Sequence, residues 1–152
     1  MQNERRRPGV IAALVALGVS FVFISISGCG ELNRGELNRG VESLSALAAQ
    51  GELIANGVAR DASKSTYTRV MAKTLGEEAE HEAEKLADAE PSPEVERERD
   101  AAVQIAGELA DLFSELQTFS GDERHGALVE EHMGEAKDQA DALVERLTGE
   151  AA

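Results

Sequence analysis

Along most of the chain, apolar and small side chains recur in alternating steps of four and three. In the first such stretch they fall at Leu37, Val41, Leu44, Ala48, Gly51, Ala55 and Val58, with Leu47 and Ile54 widening the stripe. That spacing puts one face of an α-helix against a core, and it predicts a first helix from Leu37 to near Arg60. Gly51 and Gly57 each weaken such a helix by about 1 kcal/mol relative to Ala. Small residues inside the stripe also allow a neighbouring helix to come close.

Three more stripes follow. Tyr67, Val70, Met71, Leu75, Ala79, Ala83 and Leu86 predict a second helix from about Lys64 to Ala89, ended by Glu90-Pro91-Ser92-Pro93. Ser92 reads as an N-cap with Pro93 at the first helical position, and Ala102, Ile105, Ala106, Leu109, Leu112, Phe113 and Leu116 carry the third helix to Thr118. Ser120 with Glu123 fits a capping box for the fourth helix. Its stripe is Val129, Met133, Ala136, Ala140, Leu143 and Leu147, and it ends at Thr148-Gly149.

No stretch alternates like a strand. Four helices joined by connections of a few residues predict an all-α fold, an up-down-up-down antiparallel four-helix bundle. The alternative is a three-helix bundle whose glycine-bearing first helix is loose or exchanged between subunits. An intermolecular coiled coil through the fourth helix is a further option, weakened by the lack of branched residues at every core position.

The first thirty residues have a different pattern. Arg5, Arg6 and Arg7 precede an apolar run from Val10 to Ile26, and the small residues Ser27 and Gly28 then lead into Cys29. Basic, apolar and small regions in that order are the layout of an export signal, and the run is short for a comfortable membrane span. Pro8 and Gly9 stand where a twin-arginine signal wants apolar residues. At Ile26-Ser27-Gly28-Cys29 the segment resembles the lipobox of bacterial lipoproteins.

That resemblance implies cleavage before Cys29, a diacylglycerol on its thiol and an acyl chain on the new amino group. Two or three acyl chains hold a protein stably where one does so only marginally. The alternative is an uncut signal anchor with an incidental cysteine. Gly30 follows Cys29, where an aspartate commonly retains a lipoprotein in the inner membrane. The resemblance thus favours the periplasmic face of an outer membrane, or the outer face of the cell membrane where there is only one. The expected organisation is a signal peptide over 1–28, a lipidated cysteine and tether over 29–36, and the bundle over 37–150. The tether reading rests on the repeat Glu31-Leu-Asn-Arg-Gly35, Glu36-Leu-Asn-Arg-Gly40.

Charge and cysteine count narrow the function. The chain has 15 basic and 29 acidic residues; losing 1–28 removes three arginines and Glu4, which leaves 12 and 28 and a formal charge of -16. Such a domain is a poor ligand for nucleic acid and for anionic lipid. Cys29 is the only cysteine, so no internal disulfide forms, and once lipidated it offers no thiol for redox or zinc chemistry. With Phe113, Phe119 and Tyr67 as the only aromatics after the leader, the core is expected to be thin, and self-association or an envelope protein partner is a plausible supplement.

The best chemical candidate is a carboxylate and histidine set. Glu78 to His81 has the Glu-x-x-His spacing of di-iron bundles, and Glu78 and Glu82 fall at about -60° and -20° from Leu75. On the fourth helix, Asp122, His125 and His132 fall at about 20°, -40° and -60° from Val129. Against a metal site, only one such motif is present, and the His81 and His125 levels differ by roughly 15 Å along the bundle. No nucleophile elbow, metalloprotease motif or phosphate-cradling glycine loop occurs. The expected protein is therefore a non-enzymatic, lipid-anchored envelope module without a cofactor. A metal-binding bundle and an apolar-ligand carrier are the alternatives.

Overall fold

The computed structural model describes residues 31–149; the leader, Cys29 and the last three residues lie outside them. Four helices make up the fold: α1 (Arg34–Ala59), α2 (Ser65–Asp88), α3 (Glu96–Thr118) and α4 (Glu123–Thr148). The strongest packing is α1 on α4 and α2 on α3, α3 also meets α4, and α1 also meets α2. Across the middle, α1 touches α3, whereas α2 and α4 stand at opposite corners without contact. This is the antiparallel four-helix bundle the spacing predicts. α1 is integral to it, with Leu37, Val41, Leu44, Ala48 and Ala55 fully buried.

Close approach compensates for the thin core. Phe113 is fully buried, and a Cβ at Gly51 of α1 would lie 3.0 Å from its ring while one at Gly76 of α2 would lie 3.2 Å from its Cβ. The same Cβ at Gly51 would meet the Met133 side chain of α4. One aromatic ring thus reaches α1 because no side chain stands between them, and α2 closes over its base in the same way. Burying a side chain of this size contributes on the order of 2–3 kcal/mol.

The helix starts differ from expectation in three places, each for a local reason. α1 begins at Arg34, inside the expected tether. Asn33 Oδ1 accepts from the N–H groups of Gly35 (3.0 Å) and Glu36 (3.1 Å), and Glu36 Oε2 accepts from Asn33 N (3.3 Å), completing a capping box. Leu32 is fastened as well. Its N–H donates to Glu90 O (2.7 Å) and its carbonyl accepts from Ser92 N (3.1 Å), a parallel bridge onto the α2–α3 connection.

Held in that bridge, Ser92 does not cap α3. The chain instead makes a turn in which Val95 N donates to Ser92 O (3.0 Å), buries Val95, and starts α3 at Glu96. In α4 the cap is Asp122 rather than Ser120. Asp122 Oδ1 accepts from Arg124 N and His125 N at 3.0 Å each, and Ser120 is buried below it. At the other end of α4, Gly149 adopts φ 76°, a left-handed helix stop of the kind glycine favours.

The second helix also corrects its stripe. Tyr67 and Val70 are more than half exposed, and Thr68 takes the buried place near the start of α2, its hydroxyl donating to Ser63 Oγ at 3.2 Å. No described helix is long and apolar enough to cross a membrane.

Candidate functional site

The bundle does not assemble the carboxylate and histidine set. On α2, Glu78 and His81 are exposed, and the partly buried Glu82 is occupied by Lys85, whose Nζ donates to both carboxylate oxygens at 3.2 and 3.1 Å. On α4, His132 is exposed and His125 is half-buried. Because α2 and α4 are diagonal and do not touch, the two halves of the set face opposite ways. Among the described residues, no group of three or more His, Cys, Asp or Glu side chains is placed to hold a metal ion. Among the described residues the fully buried side chains are apolar apart from Thr68 and Ser120, which gives the described interior no anionic cradle. The angular reading of Glu78 failed because the face it shares with Leu75 is wider than the contact that α1 and α3 make with α2.

His125 has a different environment from the one a ligand needs. Its ring stacks on Phe119, with centroids 3.9 Å apart and planes 10° from parallel. Its Nδ1 lies 3.2 Å from Asp122 Oδ1, near enough for attraction once protonated, but not aimed along a hydrogen bond. The Asp122 carboxyl is held below its ordinary range, first by the backbone N–H of His125 and then by the imidazole. Charge concentrated at a helix N-terminus favours the anion for the same reason. This is a capping arrangement, and it fixes the α3–α4 corner.

A second polar group links α1 to α4. Ser45 donates to Asp141 Oδ1, whose other oxygen accepts from Lys137 Nζ at 2.7 Å, and Asn56 donates to Glu130 further along the seam. Lys137 chiefly, and Ser45 next, hold the Asp141 carboxyl below its usual value, and Asp141 raises Lys137 in return. Both partners are more than a third exposed, so solvent screens the pair and it serves register more than stability.

The grooves are shallow. One of about 370 Å³ runs between α1 and α4, lined by Ala49, Glu52, Leu53, Asn56 and Glu130, and one of about 210 Å³ lies between α2 and α3. Carboxylates and an amide on the first groove give an apolar ligand little to bind.

Surface apolar groups are the feature the stripe reading missed. Among the described residues, Leu53, Tyr67, Val70, Phe119 and Leu128 are the exposed large hydrophobic ones. All five lie toward the end of the bundle that carries the α1–α2 and α3–α4 connections, the end away from Leu32. The available signal was charge. From Leu53 to Gly76 only Asp61 is acidic, while Arg60, Lys64, Arg69 and Lys73 are basic, in a chain with 29 acidic residues. Comparison with protein-family models, with curated proteins and with solved structures gives no match to this chain.

Proposed function

We propose that the chain is a lipid-anchored module of a bacterial cell envelope, held outside the cytoplasm and acting by interaction rather than catalysis. The observation that carries the reading is Ile26-Ser27-Gly28-Cys29 behind its basic and apolar run, and the short spacing from Cys29 to Leu32, the first residue fastened to the bundle, would set the posture. Three residues reach at most about 10 Å. A lipid on Cys29 therefore holds the α2–α3 end of the bundle close to the bilayer and turns the other end away from it. With α1 being 26 residues long, the far end stands roughly 40 Å higher.

The charge of the domain agrees with that posture. Acidic residues are plentiful at the near end, among them Asp88, Glu90, Glu94 and Glu96, so the bundle stands off an anionic surface and is kept there by its acyl chains alone. The reading is tested by expressing the full chain in bacteria with a labelled fatty acid, then measuring label and membrane partition for the parent and for Cys29→Ala. Label and partition that both depend on Cys29 are the expected result. A soluble pool carrying an intact leader would sink the reading.

A further inference from the structure

We infer that the end of the bundle remote from Leu32 is a lateral docking surface for a second copy of this chain, through two unlike patches on opposite sides. On α2 and the turn before it, Arg60, Lys64, Arg69 and Lys73 surround the exposed Tyr67 and Val70, with Asp61 the only acid among them. On α4 and its cap, Asp122, Glu123, Glu131 and Glu135 surround the exposed Leu128, with Arg124 the only base among them. With Glu77, which lies level with Glu135 and pairs with Lys73, counted in the first, the two patches carry net formal charges of +2 and -3.

Three features make them complementary between copies rather than within one. First, α2 and α4 stand at opposite corners without contact, so the patches face away from each other. Second, the levels match. Val70 is five residues into α2 and Leu128 five residues into α4, each about 7.5 Å from the same end of the bundle; Lys73 and Glu131 are each eight residues in, at about 12 Å. Two bundles side by side and pointing the same way therefore bring apolar centre to apolar centre and cation to carboxylate. Third, Arg60, Lys64 and Arg69 make no ion pair among the described residues, and Lys73 has only an exposed contact with Glu77 at 3.6 Å.

The contact is heterologous, since patch meets a different patch, and repetition gives a row or ring instead of a closed two-fold dimer. Each apolar centre is only one or two side chains, so the contact is weak in solution and depends on charge, falling as salt screens it. It deepens the reading of this chain as an interaction module by naming the partner as a second copy. A two-fold pairing through α2 alone would set Arg60, Lys64, Arg69 and Lys73 of one copy against the same cations of the other, a like-charge contact.

The test uses the full chain with Val70→Cys, Leu128→Cys or both, treated in membranes with a short bismaleimide and read on a denaturing gel. The double variant is expected to give a ladder of oligomers, each single variant only monomer, and the two singles expressed together a dimer and nothing larger. A dimer from either single variant, or no crosslink from the double, overturns the proposal. Lys73→Glu should reduce the ladder several-fold and Glu131→Lys added to it should restore the yield; equal yields in all three would overturn it too. The series is repeated with Cys29→Ser. A ladder from a Cys29→Ser chain whose lipid label and membrane partition are unchanged would refute the anchoring alone, and a lipidated double variant that gives no ladder, with label lost in Cys29→Ser, would refute the docking alone.

Discussion

Gly126 and Gly134 lie two turns apart on α4, and replacing each with alanine should move stability in opposite directions. In both cases alanine removes the conformational cost of glycine in a helix, a gain of about 1 kcal/mol. At Gly134 nothing lies within 4 Å of the new Cβ, so that gain stands. At Gly126 the new Cβ would be 2.6 Å from the backbone nitrogen of Ala59 and 2.9 Å from Val58 Cγ1, at the end of α1. A backbone atom cannot rotate away, so α1 and α4, the most extensively packed pair of helices, must separate there by several tenths of an ångström. Overpacking of that kind costs roughly 1–3 kcal/mol, which outweighs the propensity gain. The expected difference between the two variants is about 1–3 kcal/mol. Urea unfolding followed by helical circular dichroism reads it directly, since a slope of about 1.5 kcal/mol/M turns 1.5 kcal/mol into a midpoint shift of about 1 M. If Gly126→Ala raises the midpoint as much as Gly134→Ala does, the close crossing of α1 and α4 is not there.

Phe113→Ala should cost about 3–5 kcal/mol, because Gly51 and Gly76 leave the neighbouring helices no side chains with which to fill the space; chemical denaturation measures it. Asp61, the one non-glycine residue with positive φ among those described, sits at 49° just past the end of α1, and Asp61→Gly should raise the melting temperature by the few degrees that relief of about 1 kcal/mol gives. The carboxyls of Asp122 and Asp141 are lowered in the fold, so their contribution is complete above the ordinary value of 3.8 and is lost as pH falls through the lowered values. Melting temperatures taken from pH 6 down to pH 2 should therefore drop less for Asp122→Asn and Asp141→Asn than for the parent. Added Fe²⁺, Zn²⁺ or Ca²⁺ should leave the melting temperature unchanged, because the Glu78, His81, Glu82, His125 and His132 side chains do not converge.

The core of every helix was legible because its signal is periodic and its partner is any apolar surface. Leu109 and Phe113 on α3, or Met133 and Ala140 on α4, are buried wherever the other helices stand. Helix starts were less legible, since several residues can cap and the choice is made at a distance. Ser92 has the chemistry of an N-cap, yet its backbone is taken by Leu32, sixty residues earlier in the chain, so the turn slips to Val95. Tyr67 and Val70 were misread for another reason. Beyond the contact with α1 and α3, the 3.6-residue period continues into side chains that no neighbour covers, and only the diagonal placement of α2 and α4 decides where cover ends. The candidate metal set failed on the same point, because helical angle orders residues on one helix and says nothing about which corner of the bundle faces it.

The repeated pentapeptide shows how much context does. In the first copy, Leu32 is held by backbone bonds to the α2–α3 connection and Asn33 caps α1; in the second, Leu37 is fully buried and Asn38 lies within the helix, donating to Glu42 at 2.8 Å. Identical residues thus fasten and cap the start of the bundle in one place and enter its core in the next. Their joint effect is that only two residues separate Cys29 from the first fastened position, Leu32, where a plain spacer up to Leu37 would have left seven. On the proposed lipid anchor, a bundle on so short a leash would not tumble freely above a membrane, and copies anchored alike would present the same end at the same height. That shared height would let the proposed weak, charge-dependent contact through Val70 and Leu128 act between neighbours, because anchoring would already have removed most of the orientational freedom that association must otherwise overcome.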